Sequence, residues 1–522
     1  VAQALIPSIE QQLQWVVIAE SLKPSLIQTR HKPVSVVQML SDPSAFQGWR
    51  VKPTADPASI ASRNLGAGDT FILDFGQHCV GYFHFQLDRH GSGDSPTRVR
   101  LTFGEVPAEV AEPLDPYTGS LSRAWLQDEV INVDVVPATI SLPRRYAFRY
   151  VKVEVIATSG AFKVSVGSAW CDCVSAAAPL EERSQPASIL SDELRAIEQV
   201  SLLTLRNCMQ TVFEDGPKRD RRLWLGDLRL QALANTVSFR NFDLVKRCLY
   251  LHAGLLREDG LVPACVYETP LPRIGANFIV DYAALFAPTL LEYADASGDL
   301  ATAKDLWPVA VWQTQLLKSF IDASGQFTNP SNMWVFIDWN PVLHRDAAAL
   351  GALIFGLDKT IALADRIGLG QTVSTLRNRL STMRAAAMRH LFDKRKGLFI
   401  SGPQRQVSWA SQAWLILAGV VEKQQAIRIL QDVAADPNAI KPASPYGWHY
   451  VVEAMTDCGM HAQALQIIRD YWGKMVTFGA DTFWEVFDPA QEKLSPYGTH
   501  LINSYCHAWS CTPAVFIRNT KK

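Results

Sequence analysis

Ser191-Asp192-Glu193-Leu194-Arg195-Ala196-Ile197-Glu198-Gln199-Val200 marks the place where this sequence changes period. Leu194, Ile197 and Val200 fall three residues apart and so share one face of a helix. Ser191 stands where an N-cap would, and Asp192 and Glu193 occupy the first turn, where the helix dipole favours acids. The stretch before it, Ala176-Ala177-Ala178-Pro179-Leu180 through Gln185-Pro186, reads as a linker. Two domains are therefore expected, 1–180 and 190–522.

Upstream of the linker the period is two. Phe83, Phe85 and Leu87 alternate with His84 and Gln86, and Val99, Leu101 and Phe103 with Arg98, Arg100 and Thr102. Ile131, Val133 and Val135 alternate with Asn132 and Asp134, and Val151, Val153 and Val155 with Lys152 and Glu154. Half-buried strands separated by turn-rich segments such as Arg89-His90-Gly91-Ser92-Gly93-Asp94 predict an antiparallel β-sandwich of the jelly-roll kind.

Downstream the helical period recurs in about twelve segments, starting near residues 191, 227, 243, 281, 300, 346, 371, 408, 423, 446, 461 and 500. Their connections alternate in length. Long ones, 207–226, 257–280, 323–345, 394–407, 436–445 and 477–499, follow the odd-numbered helices; short ones, such as 240–242, 368–370 and 421–422, follow the even. Antiparallel helices emerge at alternate ends, so all six long loops fall on one side of a ring of six helical hairpins. Long loops in a compact domain usually carry function.

Composition narrows the class of function. The 522 residues carry a formal net charge of −1, which gives no electrostatic reason to expect nucleic acid or an anionic membrane. There is no continuous apolar run of membrane-spanning length. The opening Val1-Ala2-Gln3-Ala4-Leu5 has neither the basic nor the apolar region of a secretory leader, although a removed one would leave no trace. The 9 cysteines are scattered, with Cys171-Asp172-Cys173 as the single close pair, and suit buried thiols in a reducing cytosol. No metal site and no cofactor are expected. The 15 tryptophans suit sugar rings and helical cores equally.

The long loops carry acids among aromatics. The first holds Glu214-Asp215-Gly216-Pro217-Lys218-Arg219-Asp220-Arg221-Arg222-Leu223-Trp224-Leu225-Gly226-Asp227. The third holds Trp334-Val335-Phe336-Ile337-Asp338-Trp339-Asn340-Pro341. The fifth gives Ser444-Pro445-Tyr446-Gly447-Trp448-His449-Tyr450, with Glu453 in the helix that follows, and the last gives Asp481-Thr482-Phe483-Trp484-Glu485-Val486-Phe487-Asp488. His507 follows, flanked by Tyr505, Cys506 and Trp509, in what reads as the final helix. Each has a plain structural alternative: a solvated loop with Asp227 as cap, an aromatic plug capped by Asp338, a core histidine. Glycoside hydrolysis needs a carboxylic acid for the leaving oxygen and an opposing carboxylate, and aromatic faces hold the sugar. No phosphate cradle, nucleophile elbow or metal-spaced histidine pair supports another chemistry.

Asp215-Gly216-Pro217-Lys218-Arg219-Asp220 through Trp224-Leu225-Gly226-Asp227 resembles the signature of the α-L-rhamnosidases of glycoside hydrolase family 78, D-C-P-Q-R-E-R-L-G-W-T-G-D. Thr482-Phe483-Trp484-Glu485 resembles that family's T-x-W-E, and Asn503 to His507 its later N-H segment. Asp74-Phe75-Gly76-Gln77 with Gly81-Tyr82, Phe103-Gly104-Glu105, and Arg145-Tyr146-Ala147-Phe148-Arg149-Tyr150-Val151 resemble its sandwich motifs. The resemblance implies an (α/α)6 barrel behind a β-sandwich and hydrolysis of terminal α-L-rhamnosides with inversion. By position it gives Asp220 the general-acid place and Glu485 the general-base place. Asp215 and Asp227 take the places that hold rhamnose hydroxyls, with Asp338, Trp339 and His507 as further wall; Arg219, Trp224, Trp448 and Trp484 complete the expected substrate-binding set.

Two departures from the family pattern matter. The acid is Asp220 where the family usually has Glu, so either the backbone comes closer to the glycosidic oxygen or another acid such as Glu214 serves. Arg219, Arg221 and Arg222 would depress a carboxyl pKa, so they should point away or pair with Asp215 and Asp227. The chain also has room for one β-domain where many relatives carry more, which favours a small intracellular rhamnoside over a polymer. A cytoplasmic enzyme, as a homodimer, is the corresponding expectation. Two other functions stay open from sequence: hydrolysis of another deoxy or uronic sugar on the same fold, and non-catalytic carbohydrate binding with a degenerate site.

Overall fold

The alternating segments build one antiparallel sheet of nine strands, its main path running Ile27–His31, Lys163–Ser175, Thr70–His90, Tyr146–Ala157, Thr97–Gly104, Asp128–Val133. The structure, a computed structural model, describes residues 6–90, 96–178 and 191–519. The opening Val1 to Leu5, the Gly91 to Asp94 turn and the Pro179 to Pro186 part of the linker lie outside the described residues. Thr70–His90 is the spine of the sheet. Its first half pairs with Ser35–Ser41 and Tyr146–Ala157, its second with Lys163–Ser175 and Ala138–Ser141, and its register against Tyr146–Ala157 shifts between Asp74 and Cys79. That bend lets the two halves close over Phe83, Phe85, Leu87, Val99, Leu101, Phe103, Val151 and Val153, the apolar members of the alternation. Each such side chain contributes about 1.5–3 kcal/mol on burial.

Twelve principal helices follow: Asp192–Cys208, Leu225–Val237, Phe242–Gly254, Phe286–Ser297, Leu300–Leu316, Asp346–Arg366, Ser374–Leu391, Trp409–Leu417, Lys423–Ala435, Pro445–Asp457, His461–Thr477 and Pro513–Asn519. They form the six hairpins of an (α/α)6 barrel, with the long connections after alternate helices, so the elaborated loops share one face. Ser191 caps the first helix, its hydroxyl accepting from the Leu194 N–H. Asp346–Arg366 is long and apolar enough to cross a membrane, although no single uninterrupted run in the sequence suggests it; most of its apolar window is buried inside the barrel. Its glycines let neighbours approach closely, because a Cβ on Gly356 would lie 2.5 Å from the Ala284 carbonyl oxygen.

Two expectations need correction. Residues 1–180 are not all sheet domain: Ile9–Ser21 is a helix that packs on Phe242–Gly254, its Trp15 and Ala19 in the barrel core. The final helix does not start near 500. His500–Ile502 and Ala508–Cys511 are single 3-10 turns, and the chain between them is extended, with His507 at φ −132° and ψ 123°. Its apolar residues are spaced like a helix, but their backbone groups bond to the loops of the active face instead.

Candidate active site

The first long loop is folded around the Asp215 carboxylate. Its Oδ2 accepts from the Asp220 N–H and its Oδ1 from the Arg222 N–H, each at 3.0 Å. The Asp215 N–H in turn donates to the Arg222 carbonyl at 3.0 Å, closing a turn in which Arg221 takes the left-handed φ of 59°. This turn presents Asp220, the half-buried acid of the group. The sheet domain grips the same loop at two points. Lys218 Nζ, buried, lies 2.5 Å from Glu109 Oε1 and 3.3 Å from Glu105 Oε2 and donates to the Asn503 carbonyl. Arg145 donates to both oxygens of Glu214 at 2.8 and 2.6 Å.

The opposite wall comes from two extended segments that pair with each other. Glu485 N–H donates to the Ser504 carbonyl at 3.0 Å and His507 N–H to the Phe483 carbonyl at 2.8 Å. Trp509 Nε1 donates to the Glu485 carbonyl at 3.0 Å. The Glu485 side chain is thereby fixed facing the first loop, where it accepts from Arg219 and from the Tyr497 hydroxyl. Arg219 is buried and spans the two sides: one amino nitrogen meets Glu485, the other lies 3.3 Å from Asp220, and Nε donates to the Ile502 carbonyl at 2.7 Å. Its guanidinium carbon lies 4.2 Å from the Tyr497 ring centre.

Burial pushes the Glu485 carboxyl up, but Arg219, then His507 and the Tyr497 hydroxyl outweigh it, and the group stays below the ordinary carboxylate range. Asp215 is pushed up to about 8 by burial and by the neighbouring Asp220 charge. Burial likewise raises Asp227. His507 goes the other way: burial disfavours its cation, yet Asp227, Glu485 and Asp215 raise it to about 9. Its Nε2 lies 3.1 Å from Asp227 Oδ1, and neither ring nitrogen nor that oxygen has an aligned hydrogen-bond partner among the described residues. The indole N–H of Trp339 is unpartnered as well. Buried polar atoms without partners are costly, and a polyhydroxylated ligand satisfies them.

Aromatic rings enclose this group. Trp339 stands edge-on to Tyr497 at 5.6 Å and to Phe336 at 5.1 Å, and His507 packs on Trp509 at 4.3 Å. A Cβ on Gly226 would lie 2.3 Å from the Tyr282 ring, so only glycine lets Asp227 approach over that floor. Ile337 carries a left-handed φ of 54°, a strained value for a β-branched residue, and the Asp281 carboxylate holds it by accepting from Phe336 and Ile337 N–H groups at 2.8 and 3.0 Å.

The structure thus brings together Asp215, Arg219, Asp220, Asp227, Trp339, Glu485 and His507. Five expectations fail. Asp338 is fully buried and accepts from the N–H groups of Asn340, Ala443 and Ser444 and from the Ser444 hydroxyl, so its lone pairs are spent joining two loops. Trp484 precedes Glu485 in extended chain and therefore points the opposite way, stacking on Phe46 of the sheet domain at 4.2 Å. Trp448 packs on Trp409 and Tyr471, at 5.5 and 5.6 Å, rather than on the rings around the carboxylates. Glu214 is tied to Arg145 and is no substitute acid. Arg219 neither points away nor pairs with Asp215 and Asp227. Trp224 begins the helix Leu225–Val237 and bridges to Cys265, its ring half-buried. Tyr497, Glu109 and Asp281 were not singled out by the sequence, whereas Lys218 and Glu105 stood in motifs without a role of their own. Of the first three, only Tyr497, an aromatic in the last long loop beside Gly498, offered a signal.

Residues 190–520 match the model of the bacterial alpha-L-rhamnosidase 6 hairpin glycosidase domain. The chain belongs to the family 78 α-L-rhamnosidases. Residues 33–173 match the glycosyl hydrolase family 78 alpha-rhamnosidase N-terminal domain. A rhamnosidase from Klebsiella oxytoca, solved with rhamnose bound, is 47% identical with a TM-score of 0.94, over 98% of this chain and 99% of that one. A family 78 rhamnosidase of Bacillus sp. GL1 shares the fold at 22% identity and a TM-score of 0.75, over 90% of this chain and 49% of that one. An α-L-rhamnosidase of Streptomyces avermitilis complexed with L-rhamnose does so at 17% and 0.65, over 95% and 44%. No curated protein sequence matches the chain. As a member of this family the protein is a glycoside hydrolase.

Proposed function

We propose that this protein hydrolyses terminal α-L-rhamnosides with inversion, Asp220 protonating the leaving oxygen and Glu485 activating the attacking water. The observation that carries the assignment is the contrast between the two carboxyls. Glu485 is buried, ionised and held by Arg219, the Tyr497 hydroxyl and the Ser504 N–H, as suits a base; Asp220 projects, partly exposed, from a backbone turn, as suits an acid facing a leaving group. Asp227, His507, Asp215 and the Trp339 N–H form the wall for the rhamnose hydroxyls. The turn held on Asp215 is the element that positions Asp220, whose side chain is one methylene shorter than the family's usual Glu. A rhamnose-bearing small glycoside is the substrate that this set of residues suits.

Proton donation by Asp220 matters in proportion to how poor the leaving group is. Asp220→Asn should lose about 10²–10⁴-fold in kcat on an alkyl or glucosyl rhamnoside, and far less on 2,4-dinitrophenyl α-L-rhamnoside, whose leaving group needs no proton. Equal losses on both substrates, measured under saturation, would remove Asp220 from the acid's place.

A further inference from the structure

Beside Asp220 stand two arginines that face no carboxylate among the described residues. The three short strands Leu223–Trp224, Cys265–Tyr267 and Arg273–Ile274 form a small antiparallel sheet. The Leu223–Val266 pairing places Arg222 opposite Tyr267, and Tyr267 itself pairs with Arg273. Cross-strand neighbours share a face, so the three side chains form a row with the ring in the middle. The guanidinium carbons of Arg222 and Arg273 lie 4.1 and 4.4 Å from the Tyr267 ring centre, and that of Arg222 lies 6.0 Å from the ring of Trp125, from the sheet domain.

The row adjoins the acid. Arg222 is two residues beyond Asp220, and its N–H is bound to Asp215. The buried thiol of Cys265, in the central strand, is pushed up by burial and next by the Asp215 charge, with Asp220 and Asp227 contributing. The nearby acids are engaged elsewhere: Glu214 with Arg145, Glu268 with Lys23 and Arg247, Glu129 with Arg144, and Asp115 and Asp128 with Arg123. Like charges brought close across a sheet repel, and among the described residues the Tyr267 ring lies between these two but no carboxylate pairs with either.

The acid defines where the leaving group departs. Glu485, Asp215 and Asp227 are buried, whereas Asp220 is partly exposed, and the row that begins two residues beyond it at Arg222 is partly exposed as well. We propose that this row is a leaving-group subsite selecting rhamnosides whose leaving group carries a carboxylate, a uronic acid above all. Tyr267 and Trp125 offer ring faces to a pyranose, and a guanidinium takes a carboxylate through paired donors. The proposal rests on the rhamnosidase assignment above.

The test compares α-L-rhamnosyl-(1→4)-D-glucuronate with α-L-rhamnosyl-(1→4)-D-glucose, which differ only in the carboxylate. The wild-type enzyme should favour the glucuronate about tenfold in kcat/KM at low ionic strength, and less at high salt. Arg222→Gln and Arg273→Gln should each bring the ratio toward one; either variant suffices if the other fails to fold. A wild-type ratio of one or less, or a ratio unchanged in both folded variants, overturns the subsite. Turnover of 4-nitrophenyl α-L-rhamnoside without any preference would remove this subsite alone, whereas no turnover of any rhamnoside would remove the function itself.

Discussion

Glu485 and Tyr497 show how a single donor sets the working range of a buried base. Arg219 is the main cation acting on Glu485, but the Tyr497 hydroxyl also stabilises the ionised form. Tyr497→Phe removes that donor while keeping the ring against Arg219 and Trp339. The Glu485 pKa should then rise. The base is inactive when protonated, so the acid limb of the kcat/KM–pH profile should move to higher pH, by about half a unit to one unit; an unmoved limb would take Tyr497 out of the base's environment. At this scale the sequence was informative about which residues converge and poor about which way they face. Asp220, Glu485, Asp215, Asp227 and His507 were legible because residue type, spacing and resemblance agreed. Asp338 and Trp484 looked equally suitable, yet one caps a loop and the other reverses direction within an extended segment. Neither fact is written in composition, since both depend on partners more than 100 positions away or in the other domain.

The elements that carry the site are positioned by the sheet domain as much as by the barrel. Lys218 is the clearest case: a buried cation in the catalytic loop, neutralised by Glu109 and Glu105 from the sheet domain, with His78 bonded to Glu105 at 2.9 Å. Burial pushes Glu105 up, but Lys218 and His78 more than compensate, and it stays below its ordinary value. Glu109 also accepts from the N–H groups of Glu105 and Val106, at 2.6 and 3.1 Å. Glu109→Ala leaves these donors and part of the Lys218 charge uncompensated, and should cost about 3–5 kcal/mol in denaturant unfolding. A midpoint unchanged from wild type would mean that the loop does not depend on this contact. Eleven of the twelve helices and the six long loops were legible from periodicity because amphipathic helices bury one stripe each. The last segment was not, because its apolar residues are spaced as a helix would space them while its backbone bonds to the loop bearing Glu485. The helix Ile9–Ser21 was missed for a related reason: of its thirteen residues only Trp15 and Ala19 are buried, too few to impose a pattern.

On the scale of the whole molecule, the barrel supplies one face of long loops, and the sheet domain closes one side of that face. The two domains meet through Phe46 on Trp484, Lys218 with Glu109, and Arg145 with Glu214. These contacts set a buried, ionised base against a partly exposed acid, with one arginine between them. With inversion, Glu485 activates a water on the side of the sugar opposite the leaving group that Asp220 protonates. Proton NMR of 4-nitrophenyl α-L-rhamnoside hydrolysis, read before the released sugar equilibrates, decides the stereochemistry. β-L-Rhamnose should be the first-formed product; α-L-rhamnose appearing first would overturn the assignment of Glu485 as base, because retention requires a carboxylate that attacks the sugar itself.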